Sequence, residues 1–288
     1  MSKKVLKSML FLLIVIAGVF IFLETYTPPL SENHGKVDAR LYLGNSEEQP
    51  LIVGFGGSEG GNAWDSDYWK TTRDQFLSKG YAFLAVGYFG GKGTPDNLDR
   101  ISLNAIHHAI LEAAKNPKID KQKIAVIGGS KGGELALNLA SHFDDIDAVV
   151  AMSASHVSFP SITWTSNTSS WTLNNEELPY VPAPYAVIPA ITSGNHLEAY
   201  NIMLKNTVAE KKALIPVEKI NGSVLLLSAT NDEAWPSKQM SDKVMERLKN
   251  EKFKHHFEHI VLNGGHTEPA KHFDNIFEFL EKHFKSKQ

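Results

Sequence analysis

Short apolar runs alternate along the chain with longer segments in which apolar positions recur every three or four residues. Leu51–Phe55, Ala82–Val86, Ile124–Ile127, Ala148–Met152 and Val224–Ser228 are the short runs, rich in Val, Ile and Leu. Their unbroken apolar character predicts strands buried on both faces, as in a parallel sheet covered by helices. Asp67–Lys79 reads as a helix stopped by Gly80. Leu103, Ile106, Ile110 and Ala113 fall at helical spacing before Asn116-Pro117. Leu135, Leu137 and Leu139 sit among alanines in a segment that is apolar nearly all round, which predicts a central, buried helix. Pro236–Leu248, a strand at Phe257–Leu262 and a helix at Ala270–Phe284 complete the pattern. The expectation is an α/β fold with a mostly parallel, doubly wound sheet over residues 51–288.

Two regions depart from the alternation. Met9–Leu23 is an unbroken apolar run behind Lys3, Lys4 and Lys7. With its flanks it approaches the ~20 residues of a membrane span, and Tyr26 can mark the far interface. Residues 1–26 are therefore expected to be a membrane helix acting as a signal anchor, with a cleaved signal peptide as the alternative. The lysines place the N-terminus in the cytoplasm and the rest of the chain outside it; a cleaved chain would be secreted. Residues 27–50 form a short linker with a candidate first strand at Ala39–Leu43. The second departure is an insertion of about residues 155–216, rich in Ser, Thr, Asn and Pro. Irregular insertions of this length often serve as lids. Its aromatics Trp164, Trp171 and Tyr180 either line a substrate pocket or pack the insertion onto the body.

Composition narrows the chemistry. The 288 residues include no Cys, which excludes disulfides, zinc–thiolate sites, iron–sulfur clusters and a thiol nucleophile. The net charge of −3 is uneven. Residues 1–24 hold three lysines and one acid, and the remainder carries 26 basic and 31 acidic residues. Nothing in that balance supplies a basic field for nucleic acid. No pair of His residues has a metal-binding spacing such as H-E-x-x-H, so neither metal nor cofactor is expected.

Gly128-Gly129-Ser130-Lys131-Gly132 reads G-x-S-x-G, after the strand Lys123–Ile127 and at the start of the buried helix. This is the strand–turn–helix context of a nucleophile elbow. A sharp turn there requires neighbours without side chains, which Gly128, Gly132 and Gly133 provide. A phosphate-binding loop does not fit, because Lys131 precedes Gly132-Gly133-Glu134 rather than Ser or Thr. A nucleophilic Ser needs a base, and the base an orienting acid. Asp232 and Glu233 both follow the strand ending at Ser228, and Asp232 is the nearer to its end. His266 follows Phe257–Leu262 in a Gly-containing loop, residues 263–269. The oxyanion hole is expected from the backbone N–H of Lys131 and of Gly57, with Ser58 next, in the loop Gly56-Gly57-Ser58-Glu59-Gly60-Gly61.

These residues carry a resemblance. The chain from about Leu51 onward resembles the C-terminal catalytic domain shared by acyl-CoA thioesterases and bile acid-CoA:amino acid N-acyltransferases, in the α/β-hydrolase superfamily. The similarity rests on residues 55–61, Gly-Tyr-Phe-Gly at 87–90, and Ile-Gly-Gly-Ser-Lys-Gly-Gly-Glu-Leu at 127–135. It continues in residues 215–218, 231–237 and 264–269. The resemblance implies Ser130, Asp232 and His266 as nucleophile, acid and base. The acyltransferase branch uses Cys as nucleophile, so Ser130 implies hydrolysis. The expected function is a serine hydrolase acting on a small-molecule carboxylic ester or acyl thioester. Acyl transfer to an amine or alcohol is the alternative, and a non-catalytic binding protein the remaining one.

Overall fold

The computed structural model describes residues 3–163 and 166–285. Among the described residues ten strands occur in chain order: β1 Asp38–Tyr42, β2 Gln49–Phe55, β3 Ala82–Gly87, β4 Ile101–Ser102, β5 Ile119–Gly129, β6 Ala148–Met152, β7 Trp171–Leu173, β8 Glu176–Glu177, β9 Ser223–Ala229 and β10 Phe257–Leu262. The α-helices of the described residues are α1 Lys3–Thr25, α2 Lys70–Ser78, α3 Leu103–Ala114, α4 Lys131–His142, α5 Ile188–Thr192, α6 His196–Leu204, α7 Thr207–Lys212, α8 Ser237–Asn250 and α9 Phe273–Leu280. The main sheet has the order β1-β3-β2-β5-β6-β9-β10. Only β1 runs antiparallel, pairing with β3 at one edge.

The pleat explains why the inner strands are apolar throughout. Leu51, Val53 and Phe55 of β2 join one core, while Ile52 joins the other. Val224 and Leu226 of β9 divide in the same way from Leu225 and Leu227. Successive side chains point to opposite faces, so both need apolar cover. Helix α4 lies in the first core and is buried from Lys131 to Ser141, as its all-round apolar sequence predicts. Helix α9 supplies Phe273, Ile276, Phe277 and Leu280 to the second.

Some boundaries differ from expectation. Strand β5 begins at Ile119, because Gln49 and Pro50 pair with Ile119 and Asp120 before a register shift. The helix expected over Ala270–Phe284 is divided. A 3-10 turn at Glu268–Lys271 leads to His272, whose φ of −112° is not helical, and α9 passes into a π turn at Glu281–Lys285.

The N-terminal expectation needs correction. Residues Lys3–Thr25 do form one helix. However, no helix among the described residues is long and apolar enough to cross a membrane. The continuous apolar part of α1 is shorter than the ~20 residues of a comfortable span. Its side chains, Leu10, Phe11, Leu13, Ile14 and Ile21 among them, stand exposed. The linker is held to the domain: Arg100 Nη2 donates to the Pro28 carbonyl at 2.8 Å.

The insertion carries elements of its own. Strands β7 and β8 join β4 in a small sheet, and α5, α6 and α7 follow. Val157, Phe159, Val181, Ala199 and Met203 form a third core with Trp235 and Met240 of the main domain. His156 is buried here, with Nε2 at 2.7 Å from Glu210 Oε1. Burial pushes its pKa down to about 4, against the smaller upward pull of the Glu210 hydrogen bond. Between about pH 6.5 and pH 4 the unfolded chain therefore binds a proton that the folded chain refuses, and stability falls on acidification. Unfolding free energy measured by denaturant is expected to drop by about 2–3 kcal/mol from pH 7 to 4.5 on this account. His156→Gln should flatten that slope; an unchanged slope would contradict it.

Candidate active site

The sheet order places the site. Strand β2 pairs with β3 on one side and β5 on the other, so the direction of winding reverses between β2 and β5. Ligands bind at the carboxyl ends of strands beside such a switch. Phe55 at the end of β2 lies opposite Gly128 of β5. The glycine loop 56–61 therefore starts next to the turn that carries Ser130.

Ser130 has φ 56° and ψ −122°, a strained conformation for a residue with a side chain. Its amide donates to the Met152 carbonyl at 2.8 Å. The glycines are required by contact. A Cβ at Gly128 would lie 2.1 Å from the Gly132 carbonyl oxygen, and one at Gly132 would lie 2.3 Å from that of Gly56. The helix N-terminus then points its free amides and positive dipole end at the turn.

His266 Nδ1 lies 2.9 Å from both Asp232 oxygens. Asp232 Oδ1 also accepts from the amides of Ala234 and Trp235. Burial raises the Asp232 pKa, but the His266 hydrogen bond and these further contacts outweigh it and hold the carboxyl below the usual range. Glu233, the other acid considered, binds the His266 backbone amide through Oε2 at 2.9 Å instead of the ring. Ser153 Oγ donates to the His266 carbonyl at 2.8 Å, and Trp235 Nε1 to the Ser153 carbonyl at 2.7 Å. These bonds tie the ends of β6, β9 and β10 together around the imidazole. Among the described residues no hydrogen bond joins Ser130 to His266. Such contacts are often long before substrate binds.

The loop after β2 is also braced. Tyr88 Oη donates to the Gly56 carbonyl at 2.7 Å. In a trans peptide the C=O and the following N–H point opposite ways, so this bond sets the direction of the Gly57 N–H. That N–H donates to Glu59 Oε1 at 3.0 Å. The Lys131 side chain turns into the core, where Nζ meets both Glu134 oxygens at 3.0 Å. Glu134 Oε1 also accepts from Trp171 Nε1 at 2.7 Å and from the Phe159 amide at 3.0 Å. The elbow helix and the insertion thus share one buried carboxylate.

The aromatic expectations divide. Trp171 is fully buried against Tyr88 and Glu134, so it packs the insertion onto the body instead of lining a pocket. Tyr180 lines a cavity of about 460 Å³ with Leu178, Asn206 and Val208, apart from Ser130, Asp232 and His266. Trp164 lies outside the described residues. Trp235, Phe159 and Tyr200 form an aromatic cluster beside His266, with the Trp235 ring 6.1 Å from the imidazole. No local pattern singles out these aromatics, Ser153, Glu59 or Glu134, although Glu59, Glu134 and Trp235 lie within the motifs named above. Tyr88 likewise lies in a named motif, Gly-Tyr-Phe-Gly at 87–90.

Two other His arrangements test how specific the geometry is. Ser228 Oγ lies 2.7 Å from His259 Nε2, and His259 Nδ1 lies 3.2 Å from Asp242. This copies the residue types of a triad, but Ser228 is fully buried in the regular strand β9. With no exposed turn and no free amides beside it, it offers a substrate nothing. His256, Glu258 and His283 bring ligand atoms within 4.8 Å of one another. The two imidazoles stack in parallel at 3.6 Å, so their lone pairs do not converge on one ion as they stand.

Comparison with known proteins agrees with this construction. Residues 104–269 match the family model described as BAAT / Acyl-CoA thioester hydrolase C terminal. Acyl-coenzyme A thioesterase 1 of Mus musculus is 28% identical over 170 residues, 59% of this chain and 38% of that protein. Acyl-coenzyme A amino acid N-acyltransferase 1 of Mus musculus is 27% identical over 180 residues, 60% of this chain and 38% of that protein. The chain thus spans well under half the length of these two relatives. Among solved structures, the acylaminoacyl peptidase of Pyrococcus horikoshii superposes with a TM-score of 0.64 at 18% identity, covering 88% of this chain and 40% of that one. The α/β hydrolase GrgF from Penicillium superposes at 0.54 and 13% identity, covering 87% of this chain and 99% of that one. The elbow at Ser130, the sheet order and the match over more than half its length place the chain in the BAAT / acyl-CoA thioester hydrolase C-terminal family, on an α/β-hydrolase fold.

Proposed function

We propose that the protein is a serine hydrolase that cleaves an acyl thioester or carboxylic ester through Ser130, His266 and Asp232. The observation that carries this is the strained Ser130 at a strand–helix turn, in the same loop cluster as a His266–Asp232 pair. His266 Nε2 takes the proton as Ser130 Oγ attacks the acyl carbon. Asp232 holds Nδ1 protonated and stabilises the imidazolium. The Lys131 and Gly57 amides receive the developing oxyanion. His266 then protonates the leaving thiolate or alkoxide, and water attacks the acyl-enzyme with His266 again as base. The family includes both thioesterases and acyltransferases, and Ser130 in place of a thiol favours water as acceptor. A panel of simple esters and acyl-CoA thioesters of graded chain length, each run against Ser130→Ala as blank, tests the substrate class. Hydrolysis above the blank is expected with at least one series; none in either would refute the assignment.

Location is a second proposal. Helix α1, with Lys3, Lys4 and Lys7 in its first turns, is read as an export signal that carries the rest of the chain out of the cytoplasm. Its support is the exposed apolar surface of α1 and the positive charge confined to its start. The domain should be recovered outside the cytoplasm, and any of it held at the outer face should be digested by protease added to intact spheroplasts. Recovery inside spheroplasts, protected until lysis, would contradict it.

A further inference from the structure

The loop after β2 holds an anion of its own. Glu59 folds back so that Oε1 accepts the Gly57 N–H at 3.0 Å. The space its carboxylate fills is made by two glycines. A Cβ on Gly56 would lie 2.8 Å from Oε1, and one on Gly57 would lie 2.9 Å from Oε2. The same added Cβ on Gly57 would lie 3.3 Å from the Ser130 Cβ, so the Glu59 carboxylate lies in the same loop corner as the nucleophile, within about 6 Å of that Cβ. Among the described residues Glu59 has no cationic partner; a backbone amide receives it. A carboxylate oxygen on this amide occupies the place where a substrate's charge would develop.

We propose that Glu59 determines specificity by occupying half of the oxyanion hole until a substrate displaces it. This rests on the reading of Ser130 as nucleophile and Gly57 as donor. One N–H cannot serve Glu59 and a substrate oxyanion at full strength, and a second anion at contact distance repels the first. Turnover therefore requires the side chain to leave. Glu59 is otherwise exposed, and rotation of its side chain carries the carboxylate to solvent. A substrate with a long acyl group or a large leaving group has remote binding energy to offset that displacement. A small activated ester has little, and reacts slowly for that reason. The carboxylic acid product, ionised on release, meets the same competitor for the amide.

The test compares the unmodified protein with Glu59→Ala and Glu59→Gln, using intact-mass detection of fluorophosphonate labelling at Ser130. Labelling forms the Ser130 Oγ–phosphorus bond, expels fluoride, and places a phosphoryl oxygen in the same hole. Glu59→Ala is expected to label at least about tenfold faster and to raise kcat/KM for p-nitrophenyl acetate similarly, with a smaller change for p-nitrophenyl octanoate. Glu59→Gln, which keeps an acceptor but loses the charge, should fall between. A readout without turnover is butyrate binding in the Ser130→Ala background, which should tighten when Glu59→Ala is added. Equal or slower labelling by Glu59→Ala in a protein with unchanged Tm overturns the proposal and makes Glu59 a support of the loop. Absence of Ser130 labelling in all three proteins overturns it together with the serine-hydrolase reading.

Discussion

Ser130→Ala is expected to lower hydrolysis by at least about 10⁴-fold while leaving the fold intact. The magnitude follows from triads, in which nucleophile, base and acid act as a unit and loss of one member removes most of the rate enhancement. The substitution deletes one oxygen and adds no bulk. It keeps the Cβ that the φ of 56° already accommodates, and the backbone bond from the Ser130 amide to Met152. Unfolding should therefore be nearly unchanged. Some rate above background should survive, because the amides of Lys131 and Gly57 remain. His266→Ala should fall to the same low level, and the double variant should be no worse than either single one. Steady-state kinetics on the best ester of the panel, with thermal unfolding as control, makes the comparison. Additive losses in the double variant would show that Ser130 and His266 do not act on the same step.

Glu134→Ala is expected to cause the largest loss of stability, about 3–5 kcal/mol. Lys131 and Glu134 are 2% and 0% exposed and face each other at 3.0 Å. Burial pushes the lysine pKa down and the glutamate pKa up, and each charge opposes the shift of the other. Removing the carboxylate leaves a buried ammonium without its counter-charge. It also leaves the Trp171 indole N–H and the Phe159 amide without their acceptor. The insertion then loses two polar ties to the elbow helix and keeps the Asn138–Ser158 contact, and Tm should fall by roughly 10 °C. The paired change Lys131→Met with Glu134→Leu removes both charges and should recover part of the loss. If Glu134→Ala unfolds within about 0.5 kcal/mol of the unmodified protein, the carboxylate is not the junction described here.

Much of the fold was legible because burial on both faces of a sheet leaves a simple trace. Leu51–Phe55 and Val224–Ser228 are apolar at every position or nearly so, and β2 and β9 are fully buried. The elbow was legible because steric demand fixes residue type: no side chain fits at Gly128 or Gly132. The pairing of Asp232 with His266 is expected from their places after β9 and β10. Asp232 is preferred to Glu233 for its place nearer the end of β9, and the two adjacent carboxylates divide accordingly, Asp232 on the ring of His266 and Glu233 on its backbone amide. Glu134 bonds Trp171 across the start of the insertion, and no local pattern announces a contact formed by tertiary packing. Glu59 sits in a motif noted for its glycines, yet its side chain folds onto them. Ser228, His259 and Asp242 show why residue types alone are insufficient, for the same trio occurs inside the core. The divided helix after Ala270 has the apolar spacing of one continuous helix, and the backbone break at His272 leaves little mark on that pattern.

The most direct test of the central claim is covalent capture of the nucleophile. The folded protein is treated with a fluorophosphonate, measured by intact-mass spectrometry and mapped by peptide sequencing. One adduct per chain, on Ser130, absent from Ser130→Ala and suppressed in His266→Ala, is the predicted result. A folded, unlabelled protein, or an adduct on another residue that persists in Ser130→Ala, would contradict it.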